Sequence, residues 1–433
     1  MKRMGTIKNY IRVNLMGGLY GNALVCSAIE PLWSIAYGLI FYYLAMYMDA
    51  LGVSEVQMGF INSLGAVLAA GISFLAGPIT DKLGRKKASL YFDLISWTAA
   101  MIVWAVSQNF WFFLAAAMLN AFVKIPTTSW TCLSIEDTSP DKRAIFFSFI
   151  TIVSLGSGIF TPITGVLIDN FGVITPMRFM FAIGCLSMTI MFFVRNHFVT
   201  ETEIGKMMMQ KHETFSAKDV WKDYKNAMKY MVTNKLTLVV LIILLLTNFQ
   251  LAFQFFLALY LKSQIGLSAF KTSMIPGLAA LINLIIYFVY IPRLIKKSES
   301  KSMLIGIVCS VLGSGLFLLV AKGGYVLLVI STILTAAGNL IMMTFRDSLW
   351  NNVIGEGERA KIFAASQGLI SIIAIPSGIM AGYLYQTRPI LPFVTSFVIF
   401  SVTLVLSIYC VSIQTSMLIE NRENQKSGTV NKN

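Results

Sequence analysis

Twelve apolar runs of about 20 residues recur along the chain, each long enough to cross a ~30 Å hydrocarbon core as a helix. Backbone polar groups in lipid must be satisfied internally, and the runs lack the two-residue alternation of a membrane barrel, so helices remain. The spans are expected at 25–48, 56–79, 88–107, 110–134, 144–168, 175–195, 236–262, 271–295, 302–321, 324–352, 360–385 and 389–413, give or take several residues. Composition agrees. Only 12% of residues are charged, about half the share in a soluble domain, so most of the surface is built to face lipid.

The formal charge of +14 could suggest nucleic acid, but its placement argues otherwise. Of the 34 Lys and Arg, five (Arg178, Lys262, Lys271, Lys322 and Arg388) fall at odd-numbered connections, and Lys124 and Arg346 lie inside spans. The remainder sit in the tails and even-numbered connections. That asymmetry is the positive-inside rule, so both termini are expected in the cytoplasm and no nucleic-acid partner is expected. Anionic membrane lipid is a secondary partner for the basic excess. Lys2 and Arg3 precede no short apolar region with a cleavage site, so no removable signal peptide is expected. Cys26, Cys132, Cys185, Cys309 and Cys410 are scattered singly, which points to packing rather than metal or redox chemistry.

The long connection, 196–235, divides the chain into an N-terminal six-helix bundle (1–195) and a C-terminal bundle with tail (236–433). It holds both histidines, His197 and His212. Ser216 and Asp219 resemble a capping box, and Val220, Trp221, Tyr224, Ala227, Met228 and Met231 recur at helical spacing opposite lysines. An interfacial helix on the inner leaflet is expected there. The halves echo each other. Arg143-Ala144-Ile145-Phe146 parallels Arg359-Ala360-Lys361-Ile362-Phe363, and Pro162 with Gly165 loosely parallels Pro376 with Gly378 and Gly382. Internal repetition of this kind places a binding site between bundles near the midplane.

Between the second and third spans the chain reads Gly77-Pro-Ile-Thr-Asp81-Lys82-Leu-Gly84-Arg85-Lys86-Lys87. This resembles, at every defined position, the G-x-x-x-D-R/K-x-G-R-R/K-R/K signature of major facilitator superfamily transporters. Glu136 with Arg143 and Ala144 resembles a second signature of that family, and Gly165-x-x-x-Asp169-x-x-Gly172 a weaker third. The resemblance implies an all-α fold of twelve helices in two pseudo-symmetric bundles, moving a small solute by alternating access. It also implies that Gly77, Asp81, Lys82, Gly84, Arg85, Lys86, Glu136 and Arg143 form a latch holding the cytoplasmic ends together in the outward-open state. On that reading Gly77 admits a neighbouring helix, Asp81 caps a helix N-terminus and Arg85 pairs with Glu136 or Asp137. The alternative is that these charges only orient the chain. After the eighth span, Pro292-Arg293-Leu294-Ile295-Lys296-Lys297 keeps the bases without the Asp and Gly, so a latch would be one-sided. Gly156, Gly158, Pro162 and Gly165 partly resemble a drug/proton antiporter signature, with Thr161 and Val166 in place of two glycines.

Ionisable groups inside a bilayer are costly, so each is a functional candidate. Lys124 stands near the middle of the fourth span, one turn after Asn120. It could bind an anionic substrate group or pair with a carboxylate on another helix. Glu30, before Pro31, could carry a proton or answer a basic residue at the inner rim. Arg346 and Asp347 point in different directions around a helix, so they are expected in an interhelical network at the inner gate rather than neutralising each other. Asp93 is expected in the latch region. Trp33 with Tyr37, Gln250 with Gln254, and Asn62, Asn248, Trp130, Asn283, Asn339 and Gln367 are cavity candidates, although interhelical hydrogen bonding and packing would also account for them.

No G-x-x-x-x-G-K-S/T phosphate loop, zinc-spaced histidines or G-x-S-x-G elbow occurs, so the chain reads as neither an enzyme nor a cofactor protein. With both histidines in one connection, histidine chemistry inside the membrane is not expected. The expected function is a secondary carrier in the plasma membrane, monomeric and proton-coupled, for a small organic solute. Drug efflux and import of a metabolite or organic anion both stand open. A non-transporting sensor is remote, because it would normally carry a sizeable soluble domain.

Overall fold

The computed structural model describes residues 17–210, 225, 227–295, 297–354 and 359–430. Twelve helices are long and apolar enough to span a membrane: α1 (Gly21–Ala50), α2 (Glu55–Leu83), α3 (Arg85–Ala105), α4 (Phe110–Ile135), α5 (Pro140–Phe171), α6 (Ile174–Phe198), α7 (Lys235–Ser263), α8 (Ala269–Leu294), α9 (Glu299–Leu318), α10 (Tyr325–Val353), α11 (Arg359–Thr387) and α12 (Leu391–Val430). No strand occurs among the described residues. Local chemistry starts and stops these helices. Ser54 and Gln57 form a reciprocal capping box at α2. Asn109 and Asn234 accept backbone N–H bonds at the starts of α4 and α7. Gly84 and Gly172 turn the chain between α2 and α3 and between α5 and α6 at φ of 82° and 76°, a region other residues rarely enter.

Two compact units emerge, and α7, α8 and α11 contribute to both. Unit 1 holds Met1–Phe215, Phe255–Leu281 and Gly378–Thr387; unit 2 holds Ser216–Gln254, Ile282–Ser377 and Arg388–Asn433. The end of the helices carrying Gly77–Lys87 is called the basic end below, and the opposite one the far end. At the far end of unit 1, small residues bring backbones together. A Cβ on Gly59 would lie 2.4 Å from the Gly378 carbonyl, and one on Gly165 2.6 Å from the Tyr43 hydroxyl. In unit 2, Gly306 and Gly338 do the same for α9 and α10. Outward-facing side chains such as Trp111, Phe171 and Val326 stay exposed, as a lipid-facing surface requires.

Three features differ from the sequence expectation. His197 lies in the last turn of α6 rather than in the connection. The chain after α6 folds back onto unit 1: Asn22 donates to the Thr200 carbonyl and accepts from the Thr200 N–H, and Val199 is buried beside Cys26. Ala227 and Met231, expected against the inner leaflet, are buried in the apolar core of unit 2, so protein covers the end of that stripe. Lys2, Arg3, His212 and the segment Ser216 to Tyr224 of the expected interfacial helix lie outside the described residues.

Candidate functional site

A cavity of about 420 Å³ opens within unit 1, lined by α1, α2, α3, α4 and Phe255 of α7. Four of these helices lose regular α geometry at the cavity. Phe41 belongs to a 3₁₀ turn of α1, Trp97 to a π-helical turn of α3, Ala121 and Val123 to a 3₁₀ turn of α4, and Phe255 to one of α7. Irregular backbone at membrane depth is tolerated where it lines a cavity, and such breaks recur at binding sites.

The lining is aromatic with a small polar contribution. Along α1, Trp33, Tyr37 and Phe41 follow one another a turn apart, with centroids 5.0 and 4.4 Å apart and rings within 19° of parallel. Trp97 stands edge-on to all three, and Trp104 edge-on to Phe41. Edge-to-face contacts of this kind hold rings in place beyond simple burial. Tyr37, Phe41, Trp97 and Trp104 line the cavity, Tyr37 39% exposed and the two tryptophans buried, while Trp33 stacks on Tyr37 outside the lining. Asn62 and Asn120 also line the cavity. The Asn120 amide donates to the Ser96 carbonyl at 2.9 Å, and Asn62 has no hydrogen bond among the described residues.

Lys124 follows the break in α4 directly. Its side chain is exposed, and it has no ion pair among the described residues. Asn120, Lys124, Thr127, Thr128 and Thr131 recur at i, i+4, i+7, i+8 and i+11, which places them on one helix face. The threonines bond to their own helix, at the carbonyls of Val123, Lys124 and Thr127. An exposed lysine on a polar stripe in a membrane helix belongs beside water rather than lipid.

Charge is concentrated at the basic end of unit 1. The buried Arg85 guanidinium meets both Glu136 oxygens at 3.1 Å and Asp81 at 2.7 Å. Glu136 also accepts from the Thr202 hydroxyl, which in turn accepts from the Gly205 N–H and caps the short helix Glu203–Gln210. The helix-capping role expected of Asp81 falls instead to Glu201, whose oxygens accept the Arg85 and Lys86 N–H groups at 3.0 Å. Arg143 bonds the Ile135 and Thr138 carbonyls, closing the end of α4. Lys82 is exposed, Gly84 is packed against Glu201, and no described atom comes within 4 Å of a Cβ built on Gly77. The close approach expected at Gly77 is therefore absent from this conformation.

A second network lies deeper. Asp93, expected in the latch, pairs instead with Arg195 of α6, which also donates to the Ser89 hydroxyl at 2.8 Å. Both partners are buried, and half-buried Glu30 on α1 lies within their electrostatic reach without a direct ion pair among the described residues. Sequence reasoning missed Arg195, Glu201 and Thr202. A Thr before Glu203 is a helix-start signal that could have flagged Thr202. Arg195 sat at a span end, where a base reads as an orienting charge.

Unit 2 holds the remaining candidates. Arg346 does neutralise Asp347, against expectation, with its Nε and Nη2 at 2.9 and 2.7 Å from that carboxylate, while Nη1 donates to Thr247 of α7, an interhelical contact of the kind expected. The long side chain curls back along the helix because a buried guanidinium left unpaired is costly. Gln250 is buried and donates to Ser396 at 3.3 Å, and Gln254 is half-buried. Asn339 accepts from Ser310, and Asn248 donates to its own helix. Trp130 packs on Phe146, away from the cavity lining. Among the described residues, no three His, Cys, Asp or Glu side chains gather as a metal site would require.

The fold resembles the crystal structure of the nucleoside transporter NupG, with a TM-score of 0.67 and 16% identity over 91% of this chain and 99% of that one. A POT family transporter in complex with 5-aminolevulinic acid matches with a TM-score of 0.67 and 13% identity, covering 91% and 96%. A peptide transporter POT in complex with sulfate gives 0.67 and 14%, covering 92% and 95%. At such identities the likeness is one of fold. No curated protein sequence matches the chain. The sequence model of the Major Facilitator Superfamily matches residues 32–367, which include the whole cavity lining and the Gly77–Lys87 signature. The chain belongs to the major facilitator superfamily and is a multi-pass membrane transporter.

Proposed function

We propose that the chain is a secondary carrier that moves a small organic anion by alternating access, driven by a proton gradient. The observation that carries this reading is the stripe from Asn120 to Thr131, which presents Lys124 exposed and without a carboxylate partner among the described residues. A fixed positive charge of this kind favours an anionic group in the transport path. Glu30 is the proposed proton carrier, because it is half-buried near an Arg–Asp pair yet bonded to neither. The division into six-helix halves at 196–235, the plasma membrane, the cytoplasmic basic end and the monomer belong to the same proposal, resting on charge asymmetry and internal repetition.

The test is reconstitution into liposomes with an imposed pH gradient and a panel of organic anions, sugars and cationic drugs. Anion movement that follows the gradient and disappears in Lys124→Ala supports the reading. Equal transport by Lys124→Ala across the panel sinks it. A second reading, efflux of apolar aromatic compounds, is favoured by the mostly apolar lining of the cavity, and predicts drug movement that ignores Lys124.

A further inference from the structure

We infer that the cavity selects a planar heteroaromatic ring carrying an anionic substituent; this rests on the carrier reading above and narrows it. The geometry is that of a stacking platform. Trp33, Tyr37 and Phe41 stack face to face as a column, so the flat face left to the cavity is that of Phe41 at its end, with Trp97 and Trp104 edge-on to that ring and also in the lining. A flat ligand that extends a rigid stack by one ring loses little further entropy, whereas a puckered saturated ring touches the end face at few atoms. The space, about 420 Å³, suits a one- or two-ring molecule and falls in the usual range for small-ligand sites. Asn62 supplies both a donor and an acceptor with no partner among the described residues, and the Asn120 carbonyl oxygen is free once its NH₂ has bonded Ser96. Together they match a ring edge that alternates donor and acceptor. Lys124 is outside the cavity lining but follows Asn120 by one turn on the same helix face, where an anionic substituent extending from the ring would meet it.

Binding to the purified full chain tests this with four probes. Orotate offers ring, edge and charge; uracil lacks the charge, benzoate lacks the edge, and cyclohexanecarboxylate lacks the flat ring. Orotate should bind at least about tenfold more tightly than cyclohexanecarboxylate, the scale of one base–aromatic stack. Phe41→Leu should cut that ratio to about threefold or less, and Asn62→Ala should remove the preference of orotate over benzoate. Lys124→Ala should erase the preference of orotate over uracil. Cyclohexanecarboxylate binding as tightly as orotate, and moving with the gradient, overturns the ring inference and leaves the anion carrier standing. Binding of none of the four overturns both.

A separate pair of observations carries a second inference. The pattern Gly-x-x-x-Asp-x-x-Gly occurs twice in unit 1: Gly77, Asp81 and Gly84 end α2 at the basic end, and Gly165, Asp169 and Gly172 end α5 at the far end. Both copies close on a glycine with positive φ. The far-end copy is engaged. Asp169 accepts the first two N–H groups of α8, from Ala269 at 2.7 Å and Phe270 at 2.9 Å, and Gly165 packs against Ser273, Tyr43 and Ala269. The basic-end copy clamps no second helix N-terminus in this way: a Cβ built on Gly77 would meet no described atom within 4 Å, and Asp81, its side chain 36% exposed, pairs with Arg85 across the turn. The structure assigns Asp169 as the far-end latch, a carboxylate clamped on a helix N-terminus where the dipole favours negative charge. Its release would accompany engagement of the basic-end copy.

The readout is access to the seam. In a background with the five native cysteines replaced, Thr272→Cys places a thiol at a position that is buried now. Its labelling by a membrane-impermeant maleimide from the far side reports opening. Asp169→Asn should raise the labelling rate about tenfold, and Gly165→Ala should act in the same direction by prising the seam while keeping the carboxylate. Asp81→Asn should not raise it. A rate unchanged by both far-end variants, in protein that melts like the parent, overturns the assignment.

Discussion

Arg85→Lys separates a fork-shaped latch from a mere positive charge. The Arg85 side chain is 5% exposed, and its guanidinium spends three contacts on Glu136 and one on Asp81. Lysine keeps the charge but cannot present two parallel N–H groups to one carboxylate while holding another. At least one charge-assisted hydrogen bond is lost, at about 1.5–3 kcal/mol, so Arg85→Lys should cost at least about that much. Arg85→Ala should cost about 3–5 kcal/mol, because Glu136, with a side chain 12% exposed, loses its cationic partner and is left with neutral donors such as Thr202. Unfolding in mixed micelles titrated with SDS, followed by tryptophan fluorescence, reads these differences. A cycle with Glu136→Gln should give a coupling of about 1–3 kcal/mol. An Arg85→Lys variant within about 0.5 kcal/mol of the parent would refute the reasoning and leave Arg85 as an orienting charge.

Asp93→Asn should destabilise by about 3–5 kcal/mol in the same assay, since it leaves the Arg195 guanidinium buried against a neutral amide. Replacing the pair together by Asp93→Leu and Arg195→Met should recover most of that loss, and a double variant no better than the single one would argue against a paired role. Gly59→Ala should cost about 1–3 kcal/mol, because the new methyl meets the Gly378 carbonyl, whereas Gly77→Ala should be within about 1 kcal/mol of the parent. Equal losses for the two glycines would contradict the packing described. Glu30→Gln should abolish uptake driven by a pH gradient while solute exchange without a gradient persists, and gradient-driven uptake by that variant would remove Glu30 from the coupling step.

How legible each feature was follows from how local its physics is. Eleven of the twelve spans were readable to within several residues at both ends, and the last at its start but not its end at Val430, because lipid acts on each segment separately through hydropathy and length. The position of Lys124, deep in the fourth span, was readable for the same reason. Partner choice was not. Arg346 and Asp347 were misjudged because a helical wheel treats side chains as radial spokes, while an arginine can turn back on its own neighbour. Asp81 looked like the helix cap because it stands beside the turn, yet Glu201, more than a hundred residues later, occupies that place. The aromatic cavity was half visible: the one-turn spacing of Trp33 and Tyr37 is local, but Trp97 and Trp104 join them only through packing of α3 on α1.

By itself the sequence determined the solvent, the helix count, the family and the residues able to carry charge, because each is written in composition, spacing or an unbroken motif. Tertiary structure alone decided that Asp93 answers Arg195, that Asp169 caps α8, and that Gly77 stands open while Gly165 is packed. The reason is physical. A charge buried in a membrane protein is stabilised by whichever opposite group the packing brings within about 3 Å, and nothing local to either residue encodes that meeting.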